Sequence, residues 1–134
     1  GRLDRESEGL LLMTNDGEFA NALTHPSMHV PKTYRVTIHP SLSKEQRAAL
    51  ENGVEIDGKM TLPSEVRVVS REEGRVVIEL TIFEGRNRQI RKMTAAVGFA
   101  TLRLVRVRIG DIHIDSMIAG EVVTLANFDD ALIY

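Results

Sequence analysis

The N-terminal segment of the chain places one carboxylate, Asp4, between arginines and just before an apolar run. It reads Gly-Arg-Leu-Asp-Arg-Glu-Ser-Glu-Gly, then Leu-Leu-Leu-Met, then Thr-Asn-Asp-Gly. Four apolar residues are too few for a globular helix, so the pattern predicts a loop, a buried strand over residues 10–13 and a turn. Asp4 would then lie where a loop meets a sheet, a common position for a reactive group. On residue types alone, surface pairing with Arg2 or Arg5, or a turn cap, explains Asp4 more simply.

The apolar periodicity of the chain predicts the elements that would position this segment. Helices are predicted over residues 19–23, 44–52 and 88–97, strands over 34–38, 65–70, 76–83, 101–109 and 121–125, and a small hairpin over 54–61. Ser43 and Gln46 have the spacing of a capping box, and Asn87 is the expected N-cap of the third helix. Together these predict an α/β (α+β) domain with a largely antiparallel mixed sheet and a few flanking helices.

Length and composition are those of one soluble globular domain, with 134 residues, 43% hydrophobic and 27% charged. The absence of cysteine excludes disulfides and thiol catalysis. No run reaches the roughly 18 to 20 apolar residues that span a bilayer, and no signal pattern opens the chain. We therefore expect a cytoplasmic monomer with no membrane partner. The four histidines lack metal-ligand spacing, so we expect no metal site.

Positive charge is concentrated in one stretch of the chain. The net charge is −2, but residues 84–108 carry seven basic residues and one acidic residue, a local net of +6, which leaves −8 for the remainder. Such segregation is expected of a phosphate-binding surface. For the arginines of the strand over 101–109, an ordinary solvated strand is an equally good interpretation.

The N-terminal string resembles the active-site motif of RNA pseudouridine synthases, in the RsuA-like ribosomal RNA branch. Lys32-Thr33-Tyr34 is similar to the tyrosine motif of that family, residues 84–93 to its basic motif, and residues 102–106 with Ile109-Gly110 to its closing motif. The Arg-Asn-Arg-Gln form of the basic motif is closer to the large-subunit, RluE/RluB/RluF-like enzymes. The resemblance implies a catalytic domain that converts a uridine of ribosomal RNA to pseudouridine without a cofactor.

The resemblance also implies a role for each of four site residues. Asp4 matches the catalytic aspartate, which acts as a nucleophile or as the base that opens a glycal path. Arg91 matches the arginine that pairs with this aspartate, although a solvent-facing helix arginine is the alternative. Tyr34 matches the tyrosine that stacks on the target uracil, with a core aromatic as the alternative, and Leu104 matches the apolar residue lining the pocket.

Further polar residues are candidates for holding RNA. The residues expected to contact phosphates are Arg2, Arg86, Arg88 and Lys92. Asn87 and Gln89 are expected to form hydrogen bonds with the RNA backbone or with base edges. The target uridine must leave its stack in the RNA to reach Asp4, which opens a gap between the neighbouring bases. Arg2 is close to Asp4 in the sequence and is expected to brace this gap.

The chain departs from the family pattern at its beginning. Members carry several tens of residues before the Gly-Arg-Leu-Asp motif, including a Lys-Pro-containing strand, and often a separate small RNA-binding domain. The chain begins at Gly1 with neither, so we expect a fragment of the domain with an exposed sheet edge and reduced activity. The alternatives to an enzyme are a non-catalytic RNA-binding module and an interaction domain whose basic region binds an acidic protein.

Overall fold

A computed structural model describes residues 2–39, 42–114 and 117–124. Its helices are α1 (Gly17–Thr24), α2 (Lys44–Asn52) and α3 (Gln89–Ala96), with a 3₁₀ turn at Pro26–Met28. Its strands are β1 (Glu8–Gly9), β2 (Lys32–His39), β3 (Glu55–Ile56), β4 (Lys59–Met60), β5 (Glu65–Glu72), β6 (Arg75–Ile82), β7 (Ala100–Ile109) and β8 (Ile112–His113). None of the helices in these ranges is long and apolar enough to cross a membrane.

Six strands form one sheet in the order β1-β7-β2-β6-β5, with β8 paired to β7. Only the short β1–β7 pairing is parallel, while β2, β5, β6, β7 and β8 pair antiparallel. The remaining strands, β3 and β4, form the predicted small hairpin. The predicted α+β class and largely antiparallel sheet are therefore confirmed.

The main hydrophobic core packs α2, α3 and the β3–β4 hairpin against the sheet. Val36, Ile78, Leu80, Leu50 and Met93 are completely buried in it. Full burial of one such side chain is worth about 1.5–3 kcal/mol relative to leaving it in water. Because Met93 belongs to α3, the core fixes that helix, and the loop before it, relative to β2.

A second, smaller cluster anchors the N-terminal segment. Leu10 packs there with Phe19 and Leu23 of α1 and with Ile109 of β7. The apolar run therefore fixes the point at which the segment containing Asp4 joins the sheet.

The capping box predicted for α2 is confirmed. The Ser43 hydroxyl accepts a hydrogen bond from the Gln46 amide at 3.0 Å, and the Gln46 side-chain oxygen accepts one from the Ser43 amide at 3.0 Å. Two amides at the start of the helix thereby gain partners, which explains why so local a signal marks its start.

Three expected elements differ from the structure. Residues 10–13 are not a strand, because the pairing with β7 ends at Gly9 and continues only as one hydrogen bond from the Leu10 amide to the Arg106 carbonyl at 2.8 Å. The N-cap of α3 is Arg88, in a left-handed conformation with φ 50° and no side-chain cap, rather than Asn87. Residues 121–124 carry no strand, and residue 125 lies outside the described residues.

Candidate active site

A cavity of roughly 290 Å³ opens between the N-terminal loop, the start of β2, the loop before α3 and β7. This cavity is lined by most of the site residues predicted from the sequence, namely Arg2, Asp4, Tyr34, Arg86, Asn87, Arg88, Gln89 and Leu104. The structure therefore brings the N-terminal, tyrosine, basic and closing motifs to one place. Arg91 and Lys92 lie outside the lining.

Asp4 lies in the loop before β1 with a partly exposed carboxylate. Its backbone carbonyl accepts a hydrogen bond from the Ser7 amide at 3.0 Å, which closes a turn around it. Its Oδ2 lies 3.9 Å from Nη1 of Arg88, beyond hydrogen-bonding distance. The same Arg88 nitrogen donates to Oε2 of Glu6 at 3.0 Å, and this hydrogen bond lowers the pKa of the Glu6 carboxyl. Asp4 thus has a positive charge nearby, and none of the residues that the structure describes donates a hydrogen bond to its carboxylate oxygens.

Arg91 does not pair with Asp4 as expected. Its Nη2 instead donates to the backbone carbonyl of Glu6 at 3.0 Å. Its Nε is buried and has no hydrogen-bond partner within the described part of the chain. The contact of Arg91 is therefore with the backbone that carries the carboxylate rather than with the carboxylate itself.

The loop is held to β7 by further contacts. Glu8 and Arg103 form a two-pronged ion pair, with Nε–Oε2 at 2.9 Å and Nη2–Oε1 at 3.0 Å. Gly9 has φ 113°, and a Cβ there would lie 2.2 Å from the Arg106 carbonyl oxygen. Only glycine allows this close approach of the two backbones. The segment after Asp4 is therefore fixed by both charge and backbone packing.

A β-bulge in β7 determines which of its side chains enter the cavity. Thr33 of β2 pairs with Arg108 and the adjacent Tyr34 with Arg106, so Val107 is the extra residue. Neighbouring residues of a strand face opposite sides, so Arg106 shares the cavity face with Tyr34, while Arg108 lies on the other face. Leu104, opposite Val36, also lies on the cavity face.

The basic stretch does not form one surface as the charge distribution suggested. Arg103 pairs in register with Thr37, which shares the face of Thr33, so Arg103 and Arg108 both lie opposite the cavity. There Arg103 binds Glu8, and Arg108 lies 3.5 Å from Asp111. The sheet divides the positive charge between its two faces.

Several candidate RNA ligands make contacts within the protein. The guanidinium of Arg86 donates to the carbonyl oxygens of the β3–β4 hairpin, at 2.6 Å to Ile56 and 3.2 Å to Lys59. Gln89 is only 3% exposed, and its side-chain oxygen accepts from the Arg86 amide at 3.0 Å. Nζ of Lys92 lies 2.6 Å from Oδ2 of Asp57. Of the predicted RNA ligands, Arg2, Asn87 and Arg88 have exposed side chains at the cavity.

The profile of the family described as RNA pseudouridylate synthase matches residues 1–96. The chain belongs to this family. No three histidine, aspartate or glutamate side chains in the described ranges are grouped to hold a metal ion.

Relatives of this pseudouridine synthase chain include two named ribosomal large subunit pseudouridine synthase E. The one from Xanthomonas axonopodis pv. citri is 44% identical over 87% of this chain and 70% of its own length. The one from Vibrio parahaemolyticus is 42% identical over 90% of this chain and 57% of its own length. A solved structure described as a pseudouridylate synthase matches with TM-score 0.76 and 35% identity, over 84% of this chain and 48% of that one. These relatives agree with the resemblance to the large-subunit, RsuA-like branch.

Sequence reasoning missed Lys32 and Arg106 as residues of the synthase cavity. Both line it, and Lys32 lies two residues before Tyr34 on β2. The two-residue repeat of a strand was therefore a usable signal for Lys32, because it places Lys32 and Tyr34 on one face. The same repeat was a usable signal for Arg106, which lies two residues after Leu104 on β7 with no register shift between them.

Proposed function

We propose that the chain forms the catalytic body of an enzyme that isomerises a specific uridine of large-subunit ribosomal RNA to pseudouridine, with Asp4 as its catalyst. One observation carries the proposal: the partly buried carboxylate of Asp4 opens into a cavity that Tyr34 and Leu104 also line. The family assignment supplies the reaction class. The names of the bacterial relatives support large-subunit ribosomal RNA as the substrate. Because this RNA is in the cytoplasm of bacteria, we expect the enzyme to act there.

The reaction needs a carboxylate, a shaped pocket and a proton acceptor. The N1–C1′ bond of uridine breaks, the uracil turns over, and C5 bonds to C1′. C5 then loses its proton and N1 takes one up, so atoms and electrons balance without a redox partner. Asp4 acts either by attacking the nucleoside or as the base that opens a glycal path. In either case the carboxylate must be aimed at the sugar, which the loop contacts of Glu6 and Glu8 accomplish.

The other cavity residues have roles that follow from their chemistry. The Tyr34 ring offers a flat face on which a uracil stacks after leaving the RNA helix. Leu104, 4% exposed, supplies an apolar wall beside it. Arg2, Asn87 and Arg88, exposed around the opening, are placed to meet the RNA backbone.

The decisive experiment measures tritium released to water from ribosomal RNA labelled at uridine C5. We expect release with the wild-type chain and a loss of about 10³-fold or more with Asp4→Asn, which keeps the shape but removes the charge. Asp111→Asn is the matched control, since Asp111 lies against Arg108 on the opposite face, and should retain wild-type release.

A binding assay with the same RNA distinguishes catalysis from binding alone. We expect Asp4→Asn to bind the RNA within about threefold of the wild type, because Asp4 contributes no attraction to phosphate. If the wild-type chain binds ribosomal RNA tightly but releases no tritium, the catalytic proposal fails and the chain is an RNA-binding module. Equal binding to any polyanion would instead indicate a basic protein-interaction domain.

A further inference from the structure

Two cations lie side by side on the cavity wall without a carboxylate partner. Lys32 makes no ion pair or hydrogen bond through its amine within the described ranges. Arg106 is only 6% exposed, and its Nε donates to the backbone carbonyl of Leu10 at 2.9 Å. No described acidic side chain lies within ion-pairing distance of Arg106 either. The fold thus holds the positive charges of Lys32 and Arg106 on a concave, half-buried part of the cavity wall.

This arrangement is electrostatically costly for the free protein. Burial lowers the pKa of the Lys32 amine, and the neighbouring charge of Arg106 lowers it further. Arg106 cannot relieve the strain by losing its proton, because a guanidinium stays charged at any ordinary pH. Unpaired charge in a poorly solvated site is expected at positions where a ligand supplies the balancing charge.

The missing partner is expected to be an anion from the substrate. Asp4 lines the same cavity, but the cation within 4 Å of it is Arg88, not Lys32 or Arg106. The uracil of the bound substrate is neutral until the N1–C1′ bond breaks, so its carbonyl groups cannot balance two positive charges when the substrate binds. The phosphodiester is the anionic group of RNA, and lysine and arginine bind it through charge-assisted hydrogen bonds.

A glycine lies next to the Lys32 amine. Gly85, in the loop before α3, is exposed, and a Cβ at this position would lie 3.4 Å from Nζ of Lys32. A longer side chain there would lie against the Lys32 amine, so we expect it to narrow the approach of an anion.

We propose that Lys32 and Arg106 form a phosphate subsite inside the cavity, which binds a phosphodiester adjoining the target uridine. The subsite would hold the nucleotide at its phosphate, while Asp4, which lines the same cavity, faces the sugar. That the phosphate belongs to a uridine in RNA rests on the proposed function, whereas the anion site itself rests on the charges and their burial.

The first test follows the Lys32 amine of the 134-residue chain by NMR with isotope-labelled lysine. The probes are uridine, inorganic phosphate and uridine 5′-monophosphate. We expect the monophosphate and inorganic phosphate to shift the Lys32 signal and raise the pKa of Lys32, and uridine to leave both unchanged. An equal response to uridine, no response to either phosphate, or a response to inorganic phosphate alone would overturn the proposal.

The second test compares Lys32→Met with Lys44→Met, a matched control on the exposed start of α2. We expect Lys32→Met to raise KM for an rRNA fragment about tenfold, with kcat changed less than about threefold, and Lys32→Arg to restore KM. The control should behave as the wild type. An unchanged KM in Lys32→Met would contradict the subsite.

Gly85→Leu serves as a second variant that leaves both cations in place. It should weaken monophosphate binding about tenfold by filling the approach to the amine. An unchanged affinity would count against the subsite. The tests also separate the two proposals: a phosphate-dependent Lys32 signal without tritium release would refute the proposed function alone, and release without such a signal would refute the subsite alone.

Discussion

Arg91 donates its Nη2 to the backbone carbonyl of Glu6 at 3.0 Å, and so ties α3 to the loop two residues after Asp4. Arg88, the N-cap of the same helix, binds the side chain of that glutamate at 3.0 Å. The main core holds α3 through Met93, which is completely buried. The position of the candidate catalyst is therefore set through the backbone by a helix that packs in the core.

Replacing Arg91 should impair turnover more than substrate binding. We expect Arg91→Met to lower kcat about 10- to 100-fold with KM within about threefold, because the loop loses a hydrogen bond that aims Asp4. Arg91→Lys should recover part of kcat, because its ammonium group can still donate to the Glu6 carbonyl. The measurement is steady-state tritium release, with Arg71→Met on the exposed part of β5 as control. A larger effect on KM than on kcat would show that Arg91 contacts RNA instead.

Substituting Gly9 should destabilise the protein and disturb the same loop. At φ 113° an alanine Cβ would lie 2.2 Å from the Arg106 carbonyl oxygen, so β1 must leave β7. We expect Gly9→Ala to lower the free energy of unfolding by about 1–3 kcal/mol and to reduce kcat. Gly17→Ala is the control, because a Cβ there meets no described atom within 4 Å. Urea unfolding measures the stability of both variants, and tritium release measures kcat. Equal stability of Gly9→Ala and Gly17→Ala would contradict the close approach of the two backbones.

Arg86 and Arg88 should differ in what they support, although both belong to the basic motif. Arg86→Met removes donors to the hairpin carbonyls, so we expect the free energy of unfolding to fall by about 1–3 kcal/mol. Arg88→Met should chiefly weaken RNA binding, with a lower salt dependence of the affinity. Thermal unfolding measures the stability of the two variants, and RNA binding at several salt concentrations measures their affinity and its salt dependence. The assignment would be reversed if Arg88→Met were the less stable variant.

Protonation of the Glu79 carboxylate should make the fold less stable in acid. Its burial acts to raise its pKa, but hydrogen bonds from Arg67 and Arg35 outweigh the burial and bring the pKa below its usual 4.5. A carboxyl with a lowered pKa stabilises the fold above pH 4.5, and this contribution disappears as the pH falls through the folded-state pKa. We expect Glu79→Gln to lower Tm by roughly 2–5 °C at pH 7, and we expect this difference from the wild type to shrink as the pH falls below 4.5.

The matched control for that experiment is Glu73→Gln. Glu73 lies in the exposed β5–β6 turn and has no ion pair among the described residues. Its Tm should follow the wild type across the whole pH range. A constant difference between Glu79→Gln and the wild type from pH 7 to pH 3 would exclude the ionised carboxylate as the cause.

The parts of the fold that depend on local chemistry could be predicted from the sequence. The capping box of Ser43 and Gln46 marked the start of α2, because both partners lie within one helical turn. The long alternating strands and the hairpin at Asp57-Gly58 were predicted for the same reason. The motifs also nominated Asp4, Tyr34 and Leu104, which the structure brings to one cavity.

The parts that depend on contacts between distant residues could not be predicted. Alternation places Arg106 and Arg108 of β7 on one face, but the bulge at Val107 puts them on opposite faces. The partners of Arg86 are backbone carbonyls some 30 positions away, which no side-chain pattern signals. Arg91 likewise contacts a carbonyl of a loop that has no periodicity.

The exposed ion pairs that hold the loop have a consequence for the effect of ionic strength. Glu6–Arg88 and Glu8–Arg103 are accessible to solvent, so dissolved ions screen them. The screening length is about 8 Å at physiological salt and about 3 Å at 1 M. Added salt would therefore act twice, weakening attraction to RNA and loosening the loop that carries Asp4. The ionic composition of the surroundings thus becomes a determinant of catalytic geometry as well as of affinity.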